Sequence, residues 1–353
     1  MTKNNFKIAN KKIGEGNPVF IIAEVSANHN QSLERAKKII EVAAKAGADA
    51  VKIQTYKPET LTIDCAKKPF VIKSYNKNWD GKTLYDLYKS SYMPWEWQPE
   101  LKKFAEQLGL IFFSTAYDET SIDFLEKMNV PAYKIASFEL TDVVLLSRVA
   151  KTKKPIIISR GMGSVKEINN AVSILKRNGA RGVAVLHCVS SYPANPEDMD
   201  LKTILDIEKR FKVVPGLSDH TMGTLAATAS VALGACVIEK HLTLDRNDGG
   251  ADSSFSMEPK EFEELVKSVR ATEKLIGKVR YSPVGNELSE LKGRRSLFVV
   301  KHIKKGDYFT KENVRIIRPN FGLAPEFFYK VIGKKAEKDI ERGTPLKWDL
   351  VKK

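Results

Sequence analysis

Eight short apolar runs recur between residues 19 and 244, and none of them alternates apolar with polar. They are VFIIAEV (19–25), AVKIQTY (50–56), LIFFSTA (110–116), AYKIAS (132–137), PIIISRG (155–161), VAVLHCVS (183–190), VVPGLSDH (213–220) and CVIEKHLTL (236–244). A continuous run suits a strand covered on both faces, as in a parallel sheet. Parallel neighbours need crossovers, and helix-period segments fill the gaps. SLERAKKIIEVAAKAG puts Leu33, Ala36, Ile39, Ile40, Ala43 and Ala44 at helical spacing and ends at Gly47, a C-cap residue. SVKEINNAVSILKRNG opens with Ser164 as N-cap, has Glu167 placed for a capping box, and closes at Gly179. PKEFEELVKSVRATEKLIG predicts a last helix over 259–277. Eight strand–helix units over about 250 residues fit a (β/α)8 TIM barrel. A doubly wound sheet carries fewer strands and a glycine-rich turn after the first. Here GEG (14–16) precedes the first strand.

The pattern changes beyond residue 280. YSPVGNELSELKGRR reads as a linker, and SLFVVKHIKKGDYFT, NVRIIRPNFGL and IERGTPLKWDL read as short strands with turns. The expected organisation is a barrel over 1–280, a linker over 281–292 and a small β-rich domain over 293–353. An insertion over 57–94, rich in Lys, Tyr and Trp, follows the second strand and falls on the catalytic face of a barrel.

The N-terminus is polar and lacks the apolar core of a signal peptide, and no run is long enough to span a bilayer. Cys65, Cys188 and Cys236 form no CxxC pair, which points to buried thiols in a reducing cytoplasm. The net charge is +15, and residues 281–353 hold 17 Lys/Arg against 9 Asp/Glu. No long run of like charge occurs, so this excess reads as a solvated surface rather than a nucleic-acid site.

Catalytic groups of a barrel gather at the C-terminal ends of its strands. Those ends are polar here. Glu24 follows the first strand core; Lys52 and Gln54 lie on the second. Thr115 ends the third, Lys134, Ser137 and Glu139 the fourth, and Ser159 and Arg160 the fifth. Ser190 and Tyr192 follow the sixth, Ser218 and His220 the seventh, and Glu239, Lys240 and His241 the eighth. A serine or aspartate there is more often a helix N-cap, and a lone histidine more often a core residue. Convergence argues otherwise. Lys52 and Lys134 lie inside apolar strands, where an unpaired ammonium is costly. With the hydroxyls they suggest a cationic pocket for phosphate or carboxylate. His220 and His241 end adjacent strands, so both imidazoles can meet one divalent ion, with Glu24 or Asp252 as a carboxylate partner.

AEVSANHNQ, AGADAVKIQTY, FFSTAYD, AYKIASFE, GLSDHT, GACVIEKHLTLDR and DSSFSM follow one another in an order that resembles the sialic acid synthase family. The tail RRSLFVVKHIKKGDYFTKENVRIIRPNFGLAP…GTPLKWD is similar to the antifreeze-protein-like (SAF) domain of those synthases. The resemblance implies condensation of phosphoenolpyruvate with an amino-sugar aldehyde, with C–O cleavage and release of phosphate. LYDLYKSSYMPWEW, SFE and IRPNFGLAP look most like the branch that makes pseudaminic acid. Neuraminate and legionaminate synthases are the alternatives.

Carried over residue by residue, the resemblance gives Lys52, Gln54, Thr115, Lys134, Ser137, Ser159, Ser190 and Ser218 to phosphoenolpyruvate. It gives His220 and His241 to a divalent metal, Mn²⁺ or Mg²⁺. Glu24, Glu139 and Asp252 would position the sugar and move protons. Tyr192 would line the pocket, and Arg318 would reach the sugar from the other subunit of a domain-swapped homodimer. Arg160, Ala116 and Tyr117 depart from the family's pattern; Arg160 either adds a phosphate contact or turns outward. The rival readings are a heptulosonate-type aldol synthase and a polyanion-binding protein led by the basic tail.

Overall fold

Each of the eight runs forms a strand in the computed structural model, which describes residues 4–73 and 79–353. A hairpin, β1 (Phe6–Ile8) and β2 (Lys11–Ile13), comes first. The runs then give β3 (Phe20–Glu24), β4 (Ala50–Thr55), β5 (Ile111–Ala116) and β6 (Tyr133–Ile135). They continue with β7 (Ile156–Ser159), β8 (Val183–Cys188), β9 (Val214–Asp219) and β10 (Val237–His241). All eight pair in parallel, and β10 closes onto β3, so the chain is a closed barrel.

Local chemistry sets the crossovers. The helix Leu33–Ala46 starts where Ser32 accepts the Arg35 amide, and stops at Gly47 in the left-handed region (φ +89°). Val165–Arg177 carries the capping box of Ser164 and Glu167. The last crossover helix is Pro259–Ile276. Outward-facing strand residues pack on these helices: Val51, Ile53, Phe112 and Leu217 join Ile39, Ile40, Leu101 and Leu265 in one cluster. The N-terminal hairpin lies at the opposite end from the strand C-termini. There Phe6 packs so closely on Gly182 that a Cβ would approach its ring carbon to 2.2 Å.

The chain divides into two compact units, Met1–Gly277 and Lys278–Lys353. The second holds the antiparallel pair β11 (Ser296–Val299) and β12 (Val314–Ile317) over its own core of Leu297, Val299, Ile303, Phe309 and Leu346. The third tail segment, IERGTPLKWDL, is not the expected strand. It makes single bridges at Ile340 and Pro345, turns at Gly343 (φ +91°), and ends in a 3-10 turn, Trp348–Leu350. A proline without an N–H and a left-handed glycine interrupt any longer ladder. Of the three free thiols, Cys188 is buried and Cys236 only partly so. Among the described residues, no helix is long and apolar enough to cross a membrane.

Candidate active site

Side chains on a strand alternate faces, so residues two apart share one. That period sends Lys52 with Gln54, Ser218 with His220, and Glu239 with His241 into the barrel. With Glu24, Thr115, Lys134, Ser137, Glu139, Ser159, Cys188, Tyr192 and Asp252 they line a cavity of about 370 Å³ at the strand C-termini. That volume suits a small ligand. The 57–94 insertion supplies its outer wall through Leu61, Ile72, Trp79, Leu84, Leu87 and Tyr88. Residues 74–78 of that insertion lie outside the described residues.

The charges in the cavity are paired. Lys52 Nζ lies 2.5 Å from Glu24 Oε2, 2.8 Å from Thr115 Oγ1 and 3.8 Å from Glu239 Oε1. Lys134 Nζ donates to Glu239 Oε1 at 3.2 Å, and Ser218 Oγ donates to the same oxygen at 3.1 Å. The pocket is therefore not simply cationic, as its lysines alone suggested: Glu24 and Glu239 neutralise them. Burial pushes the Glu24 carboxyl above its ordinary range, against the pull of Lys52. Burial acts the same way on Glu239, but Lys134 and Lys52 outweigh it and hold that group below the usual range.

A second strand of contacts orients Glu24. Gln54 Nε2 donates to Glu24 Oε1 at 3.1 Å and to Ser26 Oγ at 2.8 Å, and the Ser26 hydroxyl donates to Asp252. Burial raises Asp252 above the usual carboxylate range, although Ser26 opposes it. Gln54, expected on phosphoenolpyruvate, thus faces the cavity while holding Glu24. Burial also raises Glu139 to about 7. Glu139 Oε2 and Ser159 Oγ are buried with no hydrogen-bond partner among the described residues. Both are free to meet a ligand.

Ser137 begins a 3-10 turn, Ser137–Glu139, just past β6. Its hydroxyl lies 2.8 Å from that of Ser190, which stands behind it and not in the cavity lining. Gly161 makes this approach possible: a Cβ there would lie 2.3 Å from Ser137 Cβ and 2.8 Å from Ser190 Oγ. Arg160 turns away from the cavity. Its Nε donates to His187 Nδ1 at 3.0 Å and its Nη1 to the Gly161 carbonyl at 3.2 Å. Burial lowers His187 to about 4, so it is a neutral acceptor at physiological pH.

His220 and His241 face each other with ring centroids 5.4 Å apart. His220 Nδ1 donates to the Val189 carbonyl at 2.9 Å, so Nε2 is the nitrogen left for a ligand. Burial pulls His220 down, but the Cys188 thiol and the Val189 carbonyl outweigh it and hold the ring above its ordinary range. His241 Nδ1 is buried without a partner among the described residues. Burial, then His220 and Lys52, push His241 well below its ordinary range, so its ring is neutral. Two oriented imidazoles, one neutral with an orphaned nitrogen and the other losing its proton when metal binds, fit a divalent ion. No third protein ligand joins them: among the described residues no group of three or more His, Cys, Asp or Glu forms a metal cage. Glu24 is taken by Lys52 and Asp252 by Ser26. Tyr192 stacks 4.3 Å from His220, and Phe255 lies 5.1 Å from both Tyr192 and His241. Arg318 is an exposed residue directly after β12 of the second unit.

Sequence reasoning assigned no role to Glu239, Ser26 or Phe255. Glu239 carried a signal, since it sits two before His241 on one strand and shares its face. Ser26 and Phe255 lie in turns, where no period points to the cavity.

The family model described as NeuB family matches residues 39–281, and an SAF domain model matches residues 294–352. The chain belongs to the NeuB family. As a NeuB-family chain it is an enzyme, a synthase of the transferase class. It is 45% identical over 93% of its length, and 95% of the relative's, to a pseudaminic acid synthase of Campylobacter jejuni. It is 37% identical to an N,N'-diacetyllegionaminic acid synthase of Legionella pneumophila, covering 97% of each chain. Among solved structures, the N-acetylneuraminic acid synthetase of Leptospira borgpetersenii, in complex with citrate, matches with a TM-score of 0.73 at 34% identity. That match covers 82% of this chain and 95% of the other.

Proposed function

We propose that this protein condenses phosphoenolpyruvate with 2,4-diacetamido-2,4,6-trideoxy-L-altrose and water, giving pseudaminic acid and phosphate. The observation that carries the reading is the meeting, in one cavity, of two buried lysines and a set of hydroxyls with two facing histidines. The lysines suit a ligand with phosphate and carboxylate groups; the histidines suit a metal beside a carbonyl. The choice of sugar rests on the relatives at 45% and 39% identity that carry the pseudaminic acid synthase name.

In this reading Lys52, Lys134, Thr115, Ser137, Ser159 and Ser218 hold the anionic groups of phosphoenolpyruvate, and Ser190 steadies Ser137. His220 and His241 would hold Mn²⁺ or Mg²⁺, which supplies Lewis-acid polarisation of an aldehyde when bound. An anion that draws Lys52 away removes the counter-charge of Glu24 and makes that carboxylate a stronger base. Glu24, already oriented by Gln54, then takes a proton from the water that adds at C2. C3 forms the new bond to the aldehyde carbon, whose oxygen takes up a proton. The hydroxyl that water leaves on C2 then becomes the keto group, losing its proton as the C2–O bond breaks and phosphate departs with that oxygen. Glu139 and Asp252 hold sugar hydroxyls and exchange protons with them, while Tyr192 and Phe255 exclude water. Arg318 is assigned to the sugar of the other subunit in a homodimer. The reaction belongs to the cytoplasm, where phosphoenolpyruvate is made.

The test is turnover of phosphoenolpyruvate with Mn²⁺ and each of three sugars, read as phosphate release and product mass. The sugars are the diacetamido trideoxy altrose, its legionaminate counterpart and N-acetylmannosamine. Turnover with the altrose is expected. Turnover mainly with another sugar would replace the substrate, and phosphate release only with a phosphorylated aldose would replace the reaction.

A further inference from the structure

Three buried lysines lie within the barrel strands. Lys52 and Lys134 belong to the cavity. Lys240 does not line it, and no step of the reaction uses it. It directly precedes His241, just as Asp219 directly precedes His220, so alternation turns both residues away from the cavity. The strand register makes them neighbours: Lys240 pairs with Asp219 between β10 and β9. Lys240 Nζ lies 2.7 Å from Asp219 Oδ2 and also donates to the Thr221 carbonyl. Asp219 Oδ1 accepts the Thr221 amide at 2.9 Å and the Thr221 hydroxyl at 2.8 Å. All three residues are 1% exposed.

A buried ion pair is seldom more stabilising than an apolar pair of the same volume, because desolvation offsets most of the attraction. What an apolar pair lacks is direction. Here every contact of the ion pair fixes something next to a histidine. The Lys240–Asp219 bond fixes the register of β10 on β9, and a slip of one residue would turn His241 to the outer face. The two bonds from Thr221 to Asp219, with the bond from Lys240 to its carbonyl, close the backbone on both sides of His220.

We propose that Asp219 and Lys240 are positioning residues, which hold His220 and His241 at the spacing and orientation that one divalent ion requires. The proposal rests on the reading of these two histidines as metal ligands. Removing an outer partner of a metal ligand typically weakens metal binding about 10- to 100-fold.

The test uses the full chain with D219N/K240M, which keeps both side-chain volumes and leaves no orphaned charge. Mn²⁺ affinity is measured by electron paramagnetic resonance without substrate, beside far-ultraviolet circular dichroism and thermal unfolding. The expected result is a folded protein with a thermal midpoint near that of the wild type, and Mn²⁺ bound about 10- to 100-fold more weakly. A folded variant with wild-type Mn²⁺ affinity would overturn the proposal. A variant that does not fold would assign the pair to barrel stability and overturn it equally. His241→Ala, measured alongside, separates the underlying reading: if it binds Mn²⁺ as the wild type does, the histidines are not the ligands.

Discussion

Glu139 faces the cavity with one carboxylate oxygen unpartnered, and burial raises it from 4.5 to about 7. Between those values the folded chain keeps a proton that the unfolded chain has released. Stability contributed by this group is therefore lost as pH rises through that window. Glu139→Gln stays neutral throughout, so its stability relative to wild type should increase from pH 5 to pH 8, by up to roughly 3 kcal/mol. Denaturant unfolding at several pH values checks this, and a constant difference would contradict it. Where Glu139 donates a proton to the sugar, wild-type kcat/KM should also fall above about 7. Glu24 is a different case, since its role is to accept a proton. Glu24→Gln should still bind phosphoenolpyruvate in calorimetry but lower kcat by about 10²- to 10⁴-fold. Near-normal turnover would remove it as the base. Both glutamates were visible in the sequence as strand-end carboxylates. Their different surroundings were not, because only barrel closure brings Lys52 to 2.5 Å from Glu24 and leaves an oxygen of Glu139 unpartnered.

At the scale of elements, the strands were legible because strands covered on both faces cannot carry polar alternation, and the runs from 19–25 to 236–244 do not. Capping chemistry marked helix ends equally well, at Gly47 and at Ser164 with Glu167. Turn geometry was not legible. Arg160 had two open readings, and only the position of His187 on β8 shows its guanidinium turned from the cavity. Gly161 beside it separates packing from propensity. Its φ of +39° and the 2.3 Å approach of a Cβ to Ser137 make alanine a misfit there. Gly161→Ala should displace Ser137 from Ser190 and raise KM for phosphoenolpyruvate at least about tenfold, by disturbing one anion contact. Ser164→Ala, three residues on, loses a cap and about 1 kcal/mol of stability, with kinetic constants unchanged. Steady-state kinetics and thermal unfolding of the two variants together check the contrast. Equal kinetic effects would mean that the whole segment, not the Ser137–Ser190 contact, shapes the site.

At the scale of the whole molecule, each unit has its own core: Met1–Gly277 around the barrel strands and Lys278–Lys353 around Leu297, Phe309 and Leu346. The cavity side chains all come from the first unit, whereas Arg318 is exposed on the second. If Arg318 serves the sugar of the other subunit, the two kinds of defect can be placed on different chains. An Arg318→Ala chain keeps an intact barrel, and a His241→Ala chain keeps an intact second unit. Each homodimer should be nearly inactive. After subunit exchange at equal concentrations half the dimers are mixed, and each mixed dimer holds one intact site, so roughly a quarter of wild-type activity should return. Exchange is followed independently by native mass spectrometry of differently tagged chains. Recovery near that level requires that an arginine from one chain act on the barrel of another. Confirmed exchange without recovery would confine each site to a single chain, and would leave Arg318→Ala inactive for a reason within its own subunit.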